Sequence, residues 1–477
     1  MKYFLLFFML APSIMFSQIQ IGQDINGEFP GDSSGVSVAL SADGSVMAVG
    51  ADDSNSGIGF TNSGYVRVYQ NQSGNWVQIG QKIEGIANFD EFGFAISLSA
   101  DGTVLAVGAS AYSPHIATPN VGRVRIYEYQ SSSWVQIGQD IDGEVSADYF
   151  GYSISLSSDG NKIAIGAPVN GAGYTKVYEN QSGTWTQVGQ KINGEAVGDQ
   201  SGFFVSLSSD GGIVAIGADS NDGNGVDAGH VRVYQDQSGI WTQIGQDIDG
   251  EASEDFFGLS VSLSANGNIV AIGGIGNDGN GTDSGHVRIF ENQSGTWMQI
   301  GQDIDGEAAG DQSGFFISLS SDGSIVAIGA DSNDGNGIDS GHVRVYQNQS
   351  GVWTQIGQDI DGEAASDFSG QSVALSANGT IVAIGAPNND GNGVDAGHVR
   401  VYDNTSILSV EEFTTIMKYK VVSEDSKITV LTNEETTLSV FTINGVEVRN
   451  ENLVTGIYLA RITDEQGISV VQKVIIK

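Results

Sequence analysis

The sequence contains no cysteine. This absence excludes disulfide bridges, zinc sites built from thiolates, and catalysis by a cysteine nucleophile. A chain of 477 residues can still fold outside the cell without such bridges, because it can bury a large apolar core. The fold must therefore be stabilised without disulfide bridges.

Basic residues are scarce as well. The chain has 19 Lys and Arg against 57 Asp and Glu, and its formal net charge is -38. Nucleic acids and anionic membranes bind through basic patches, so we expect neither as a partner. The excess of acid favours cations and cation-dependent ligands, although solubility in salt water explains it equally well.

Long apolar runs are confined to the start of the chain. Residues 1–17 combine Lys2, an apolar stretch and the small Ser17, a pattern typical of a signal peptide. No later stretch reaches about 18 continuous apolar residues, so we expect no transmembrane segment in the mature protein. The predicted location is secreted or on the outer cell surface.

A repeat fills most of the remaining sequence. The phrase G-Q-[DK]-I-x-G recurs at spacings of 58, 58, 51, 56, 56 and 56 residues, beginning at Gly22, Gly80, Gly138, Gly189, Gly245, Gly301 and Gly357. Such regular spacing at this length is typical of a closed array of structural units.

Each repeat contains four short alternating or apolar runs separated by turn residues. In the sixth copy these runs are 315–320, 325–329, 342–346 and 352–357, and an Asp-Gly turn joins the first two. The pattern predicts an all-β fold, a seven-bladed β-propeller of four-stranded blades over residues 18–404.

The two ends of the array predict how the ring closes. A tryptophan marks the fourth strand of six copies, but the seventh copy ends at Tyr402 without one. Residues 18–22 match the missing strand and would complete the last blade. Closure of this kind removes exposed strand edges, and we expect a monomer.

The blade motifs resemble a known family. Phe-Gly at 92–93 and 257–258, Gly-Ala-Pro at 166–168 and 385–387, and the strand 397–402 are similar to the FG-GAP repeat of integrin α-chain propellers. The resemblance implies a propeller over roughly 19–404. Integrin blades often hold calcium between their first two strands. Here a Ser-x-Asp-Gly turn is too short for that site.

Strand direction places the acidic loops on one face. Loops that follow the second and fourth strands share a face, and they are long and acidic, whereas the other turns are short. The Asn-Asp-Gly-Asn-Gly loops offer oxygen ligands for Ca²⁺. The candidate ligands are Asp219, Asn221, Asp222, Asp227, Asp331, Asn333, Asp334 and Asp339. The alternative is a network of turns in which these side chains cap their own backbone.

Other conspicuous residues divide into repeated and singular ones. The repeated tryptophans predict packing between blades. Four repeated histidines predict packing or hydrogen bonding rather than metal binding (His230, His286, His342 and His398). The singular residues lie in irregular loops of blades one to three, where Tyr112, His115 and Phe60 are candidate ligand-binding residues, although ordinary loop drift explains the irregularity too.

Composition changes after Asn404. Residues 405–412 are a predicted linker, and 413–477 alternate in short runs that predict a small β-sandwich. Four segments resemble the C-terminal sorting domain of the Bacteroidetes type IX secretion system: 444–448, Leu453, 456–459 and 473–477. The resemblance implies export across the outer membrane by that machinery.

These observations favour a binding protein. We expect a secreted or surface propeller that adheres to glycan or protein through its acidic face, with Ca²⁺ as the one candidate cofactor. A polysaccharide lyase or hydrolase would need a unique acid/base pair, and the repeats present none, so we assign no catalytic residue. A structural surface component is the third hypothesis.

Overall fold

The computed structural model describes residues 18–53, 62–113, 119–405, 420–424, 427–431, 436–442, 447–450, 453, 456–464 and 469–476. The chain divides into two compact units between Asn404 and Thr405. The first unit is the predicted seven-bladed β-propeller, and its described regular elements are all β-strands. Among the described residues, none forms a helix long and apolar enough to cross a membrane.

Each blade is an antiparallel sheet in which the chain runs outward from the axis. The first strands are Ser37–Leu40, Phe92–Leu98, Ile154–Leu156, Val205–Leu207, Ser260–Leu263, Phe316–Leu319 and Ser372–Leu375. The second strands are Val46–Ala51, Val104–Ala109, Lys162–Ala167, Ile213–Ala218, Ile269–Gly274, Ile325–Ala330 and Ile381–Ala386. The third strands are Tyr65–Gln72, Arg123–Gln130, Tyr174–Asn180, His230–Asp236, His286–Asn292, His342–Asn348 and His398–Asp403.

The fourth strand is the outermost one. In blades one to six it spans Asn75–Gln78, Ser133–Gln136, Trp185–Asn193, Trp241–Gln243, Trp297–Gln299 and Trp353–Gln355. Except in blade three, where one bulged strand continues, the chain breaks and pairs again with the third strand over two residues. These short segments are Ile83–Glu84, Ile141–Asp142, Ile248–Asp249, Ile304–Asp305, Ile360–Asp361 and, completing blade seven, Ile25–Asn26.

The tryptophans pack against the outer strand of the preceding blade. Trp353 is buried, and its indole Nε1 donates a hydrogen bond to the carbonyl of Ile300 in the preceding blade, at 2.9 Å. A Cβ at Gly301 would lie 2.6 Å from Cδ1 of this ring, and Gly301 has a φ of 79°. The glycine of the repeated phrase is therefore required by the tryptophan of the next blade. Packing of the tryptophans between blades is confirmed.

The N-terminal residues close the ring as predicted. Ile19 and Gln20 pair antiparallel with Asp403 and Tyr402, and a second pairing sets Ile25 opposite Val399. The start of the chain is therefore the outer strand of blade seven. No blade is left with an unpaired outer strand in this part of the ring.

A second closure runs around the axis on the other face. In each Ser-x-Asp-Gly or Ser-x-Asn-Gly turn, the residue after the serine donates its N–H to the carbonyl of the equivalent residue in the next blade, at 2.8–2.9 Å. The seven donors are Ala42, Ala100, Ser158, Ser209, Ala265, Ser321 and Ala377, and the last donates back to the first. We call this set the axial ring.

The apolar core lies between successive blades. The second strand of blade six, Ile325–Ala330, is buried along its whole length because neighbouring blades cover both of its faces. One cluster joins Val287 and Ile289 of blade five to Ile317 and Ile328 of blade six. Each blade is thus stabilised by the next one, as in other repeat folds.

The C-terminal unit has two sheets. Lys420–Glu424 pairs with Lys427–Leu431, and a four-stranded sheet contains Glu447–Val448, Thr436–Thr442, Gly456–Asp464 and Ser469–Ile476 in that order. Ile428 of the first sheet clusters with Val440 of the second and with Leu453. The predicted signal peptide 1–17, most of the linker 405–412 and residues 443–446 lie outside the described residues.

The closing strand offers a direct test of ring stability. We expect Ile25→Ala to lower the free energy of unfolding by about 2–5 kcal/mol, because the Ile25 side chain is 4% exposed between blades. Ile19→Ala, in the other segment that pairs with the same third strand but 62% exposed, should change it by less than about 0.5 kcal/mol. Urea unfolding followed by tryptophan fluorescence measures both, and equal effects would contradict the observed closure.

Candidate functional site

A cavity of about 310 Å³ lies on the propeller axis and receives residues from all seven blades, which lie in the first strand or just before it. The register places it at the acidic face, because Ser37, which lines it, pairs with Gly50 near the end of the second strand. Six of its lining residues are aromatic: Phe94, Tyr152, Phe203, Phe204, Phe315 and Phe316. We call this cavity the axial pocket.

The aromatic rings of the axial pocket contact one another around the axis. Tyr152 lies 4.9 Å from Phe94 and 4.8 Å from Phe203, measured between ring centroids. Phe204 and Phe316 meet edge to face at 5.2 Å. These distances are typical of favourable aromatic pairs, so the pocket wall is a connected apolar surface.

Two of these phenylalanines break the repeat. Blades one, three, five and seven have a serine at the position of Phe204 and Phe316. The hydroxyl of Ser260, for example, donates to the carbonyl of Gly314 at 2.6 Å. Sequence analysis missed the pocket. The available signal was Gly-Phe-Phe at 202–204 and 314–316, where most copies read Gly-x-Ser.

Carboxyl groups with raised pKa values surround this end of the ring. Burial raises the pKa of Asp219 to about 7, and burial with the nearby Asp53 and Glu91 carboxylates raises that of Asp52 to about 7. The pKa of Tyr152 rises to about 12, mainly through burial, with the charges of Asp219 and Glu91 adding to the shift. The rim can therefore present neutral and charged carboxyl groups near neutral pH.

The predicted calcium loops make hydrogen bonds to themselves. Oδ1 of Asn221 accepts from the N–H of Gly223 at 2.8 Å, and Oδ1 of Asp222 accepts from Asp227 at 3.0 Å. The equivalent bonds in blade six join Asn333 to Gly335 and Asp334 to Asp339, and Asp331 is buried there like Asp219. These are the bonds that the turn interpretation requires. Each carboxylate keeps further lone pairs, so calcium stays a prediction.

Of the candidate ligand-binding residues in the irregular loops, the structure describes only Tyr112. The guanidinium carbon of Arg123 lies 3.8 Å from the centre of the Tyr112 ring, and Nε of Arg123 bonds Asp142 at 2.6 Å. Tyr112 therefore stacks on a residue of its own chain. His115 and Phe60 lie outside the described residues, and ligand binding by all three stays a prediction.

The repeated histidines lie at blade junctions beside two carboxylates. None of the four is more than 2% exposed, and burial lowers the pKa of His286 and His342 to about 4. Each can form a metal-binding group whose ligand atoms lie within 4.8 Å of one another. The groups are Glu195–His230–Asp247, Glu251–His286–Asp303, Glu307–His342–Asp359 and Glu363–His398–Asp24.

These triads were missed because the residues are far apart in sequence. The Glu comes from the loop after the preceding blade, while the His and Asp belong to the next one. Read within one repeat, each histidine has no acidic partner at a recognisable ligand spacing. The predicted packing role holds, but His286 makes no hydrogen bond through either ring nitrogen.

Comparison with known proteins supports the fold alone. No protein-family model matches the chain, and no curated protein matches it. Hydrazine synthase of Kuenenia stuttgartiensis is 14% identical with a TM-score of 0.50, over 81% of this chain and 99% of that one. A 6-phosphogluconolactonase candidate from Bacteroides uniformis is 13% identical with a TM-score of 0.51, over 72% and 90%. The propeller resembles both.

The raised pKa of Asp52 predicts a pH-dependent stability change. Because its pKa is about 7 in the folded protein against 3.8 ordinarily, the folded state binds more protons between these values. The group's contribution to stability therefore falls as pH rises through that window. We expect Asp52→Asn to raise the urea midpoint at pH 8 and to have a smaller effect at pH 4.5. An effect of Asp52→Asn that does not depend on pH would contradict the prediction.

Proposed function

We propose that this protein is an extracellular binding propeller that captures glycan chains through the axial pocket and the acidic face around it. The observation that carries the proposal is the axial pocket itself. Its volume of about 310 Å³ and its aromatic wall match the general form of a small-molecule site, which is concave and mostly apolar with few polar groups. The cavity would hold the terminal part of a chain.

The chemistry of the pocket favours a sugar over a flat protein surface. Aromatic faces such as those of Phe94 and Tyr152 can stack on the apolar C–H face of a sugar ring. Carboxyl groups at the rim, among them Glu91, can accept hydrogen bonds from sugar hydroxyls or donate when protonated. A protein ligand would bind across the acidic loops and would depend little on the pocket.

The sequence resemblances extend this proposal to location. We include in it that the blades are FG-GAP-like and that residues 413–477 act as a type IX sorting domain, which delivers the propeller to the medium or the cell surface. The Gly-Ile-Tyr-Leu segment at 456–459 and the basic C-terminal end support this. Fusing residues 405–477 to a secreted reporter, in a host with that system, would test it by surface release of the reporter.

Replacing the pocket phenylalanines tests the glycan proposal. The probe is a glycan array followed by calorimetric titration of the best-retained oligosaccharide. We expect Phe316→Ser to weaken binding at least 10-fold, because it removes a stacking face and leaves a residue that four other blades carry at this position. Val197→Ser, 87% exposed, is the control. Retention of glycan by the Phe316 variant at full affinity would overturn the proposal, and retention of proteins alone would favour the protein alternative.

Calcium at the acidic loops is part of the same proposal. Repeating the titration after chelation, and again with added Ca²⁺, distinguishes calcium-dependent capture from glycan binding by the axial pocket alone. Calcium-dependent capture would be supported if chelator abolished binding and added Ca²⁺ restored it. The double variant Asp222→Asn/Asp334→Asn should then not bind glycan even with added Ca²⁺. Unchanged binding would assign the loops to self-capped turns and leave the pocket proposal standing.

A second function is favoured by one observation, the raised pKa of Asp52 next to Glu91. A carboxyl group whose pKa is raised to about 7 can act as a general acid in glycoside chemistry. This hydrolase or lyase alternative predicts release of reducing ends or unsaturated sugars from the retained glycan. A binding protein should release neither over prolonged incubation.

A further inference from the structure

The seven blade junctions differ at three equivalent positions, which form one group per junction. The positions are the first residue of the third strand, the third residue of the G-Q-[DK] phrase that follows it, and the residue after the glycine that ends the preceding phrase. From blade four onward they read His, Asp and Glu. At the other three junctions they read Tyr65–Lys82–Glu28, Arg123–Asp140–Ile86 and Tyr174–Lys191–Glu144.

At these other junctions a basic side chain lies inside the group. Nζ of Lys82 lies 2.8 Å from Glu28 and 4.9 Å from the centre of the Tyr65 ring. Nζ of Lys191 lies 3.0 Å from Glu144 and 4.5 Å from the Tyr174 ring. At the junction where Ile86 replaces the Glu, Arg123 takes the place of the histidine. Each group thus contains a fixed positive charge.

The four histidine junctions have no lysine or arginine at any of the three positions. An arginine on the third strand does contact the group, since Arg288 lies 3.5 Å from Glu251 and 3.8 Å from Asp303. A basic residue occupies that strand position at every junction, as Arg67, Arg125 and Lys176 do elsewhere, so it does not account for the difference. At the histidine junctions, two carboxylates therefore lie beside the strand arginine alone, whereas the other junctions contain an additional lysine or arginine.

The surroundings of the histidines indicate what balances the charge of the two carboxylates. His286 is fully buried and neither ring nitrogen has a hydrogen-bond partner, and Nε2 of His342 is also without one. Nδ1 of His230 lies 4.0 Å from Asp247, and Nδ1 of His398 lies 3.9 Å from Glu363. Both distances are too long for hydrogen bonds. A buried imidazole nitrogen that faces a carboxylate without a hydrogen bond is unusual unless an ion or a water molecule bridges the two groups.

We propose that these four junctions bind divalent transition-metal ions of the zinc class, one per junction. One imidazole nitrogen and two carboxylate oxygens form a ligand set that suits zinc and its neighbours, and a fourth position stays open to water. With bonds of about 2.0–2.2 Å, ligand atoms lie roughly 3.4 Å apart around a tetrahedral ion. Small side-chain rotations close the 4.8 Å spread to that value.

Such an ion would cross-link neighbouring blades. The Glu belongs to one blade, and the His and Asp belong to the next. At the last junction the Asp is Asp24, which lies between the closing segments Ile19–Gln20 and Ile25–Asn26. That ion would therefore join the start of the chain to blades six and seven. The proposal is independent of glycan binding, because the triads and the axial pocket share no residue.

The test uses the full-length purified protein, stripped with chelator and dialysed. Zn²⁺ is titrated calorimetrically and counted by mass spectrometry of the metal, and Co²⁺ absorption reports nitrogen coordination. We expect about four Zn²⁺ per chain. Glu251→Gln should weaken one site more than about 100-fold, since even outer-sphere changes cost 10–100-fold. Replacing all four of Glu195, Glu251, Glu307 and Glu363 by Gln should abolish tight binding.

Controls separate a built site from a merely acidic surface. Glu144→Gln removes the same charge at a lysine junction, with similar exposure (45% against 48% for Glu251), and should leave Zn²⁺ binding unchanged. If the fourfold variant fails to fold, His286→Gln must still remove one site and its share of the Co²⁺ signal. Displacement of Zn²⁺ by equimolar Ca²⁺, or a stoichiometry unaffected by the Glu and His variants, would overturn the proposal.

Discussion

Seven peptide groups, hydrogen-bonded head to tail in the axial ring, are the constraint on which the propeller depends. Each link joins equivalent residues, such as Ala42 and Ala100, so every blade must present the same turn at the same height and angle. Only a full set of equivalent turns can complete the ring. This explains why the Ser-x-Asp-Gly turns hardly vary, while loops on the opposite face differ widely from blade to blade.

With one face fixed in this way, chemical variation is confined to the other face and to the junctions. The axial pocket arises where Phe204 and Phe316 replace a serine that elsewhere bonds the neighbouring backbone. The junction groups vary in pairs: Tyr occurs with Lys, His with Asp, and Arg123 with Asp140. The Glu is replaced once, by Ile86, and the strand position is always Arg or Lys. The molecule thus combines a uniform scaffold with positions where one or two blades depart from it.

The sequence predicts the scaffold well because its signals are local. Alternation, Asp-Gly turns and the missing tryptophan after Tyr402 were sufficient for the strands, the blade number and the closure by Ile19 and Gln20. The sites are not local. Phe204 and Phe316 are 112 residues apart, and the partners of His286 come from two different blades, so no spacing along the chain connects them. The contact of Trp353 with Gly301 also joins two blades, so the need for this glycine was not visible within one repeat.

The closure of blade seven also sets an order of events during synthesis. Ile19–Gln20 pairs with His398–Asp403, a strand that is synthesised several hundred residues later. Until that segment emerges, the growing chain is an open arc with unpaired strand edges at both ends, and the axial ring lacks its last link. Sealing of the ring therefore follows completion of all seven repeats, because both strands of the closing pair must be present.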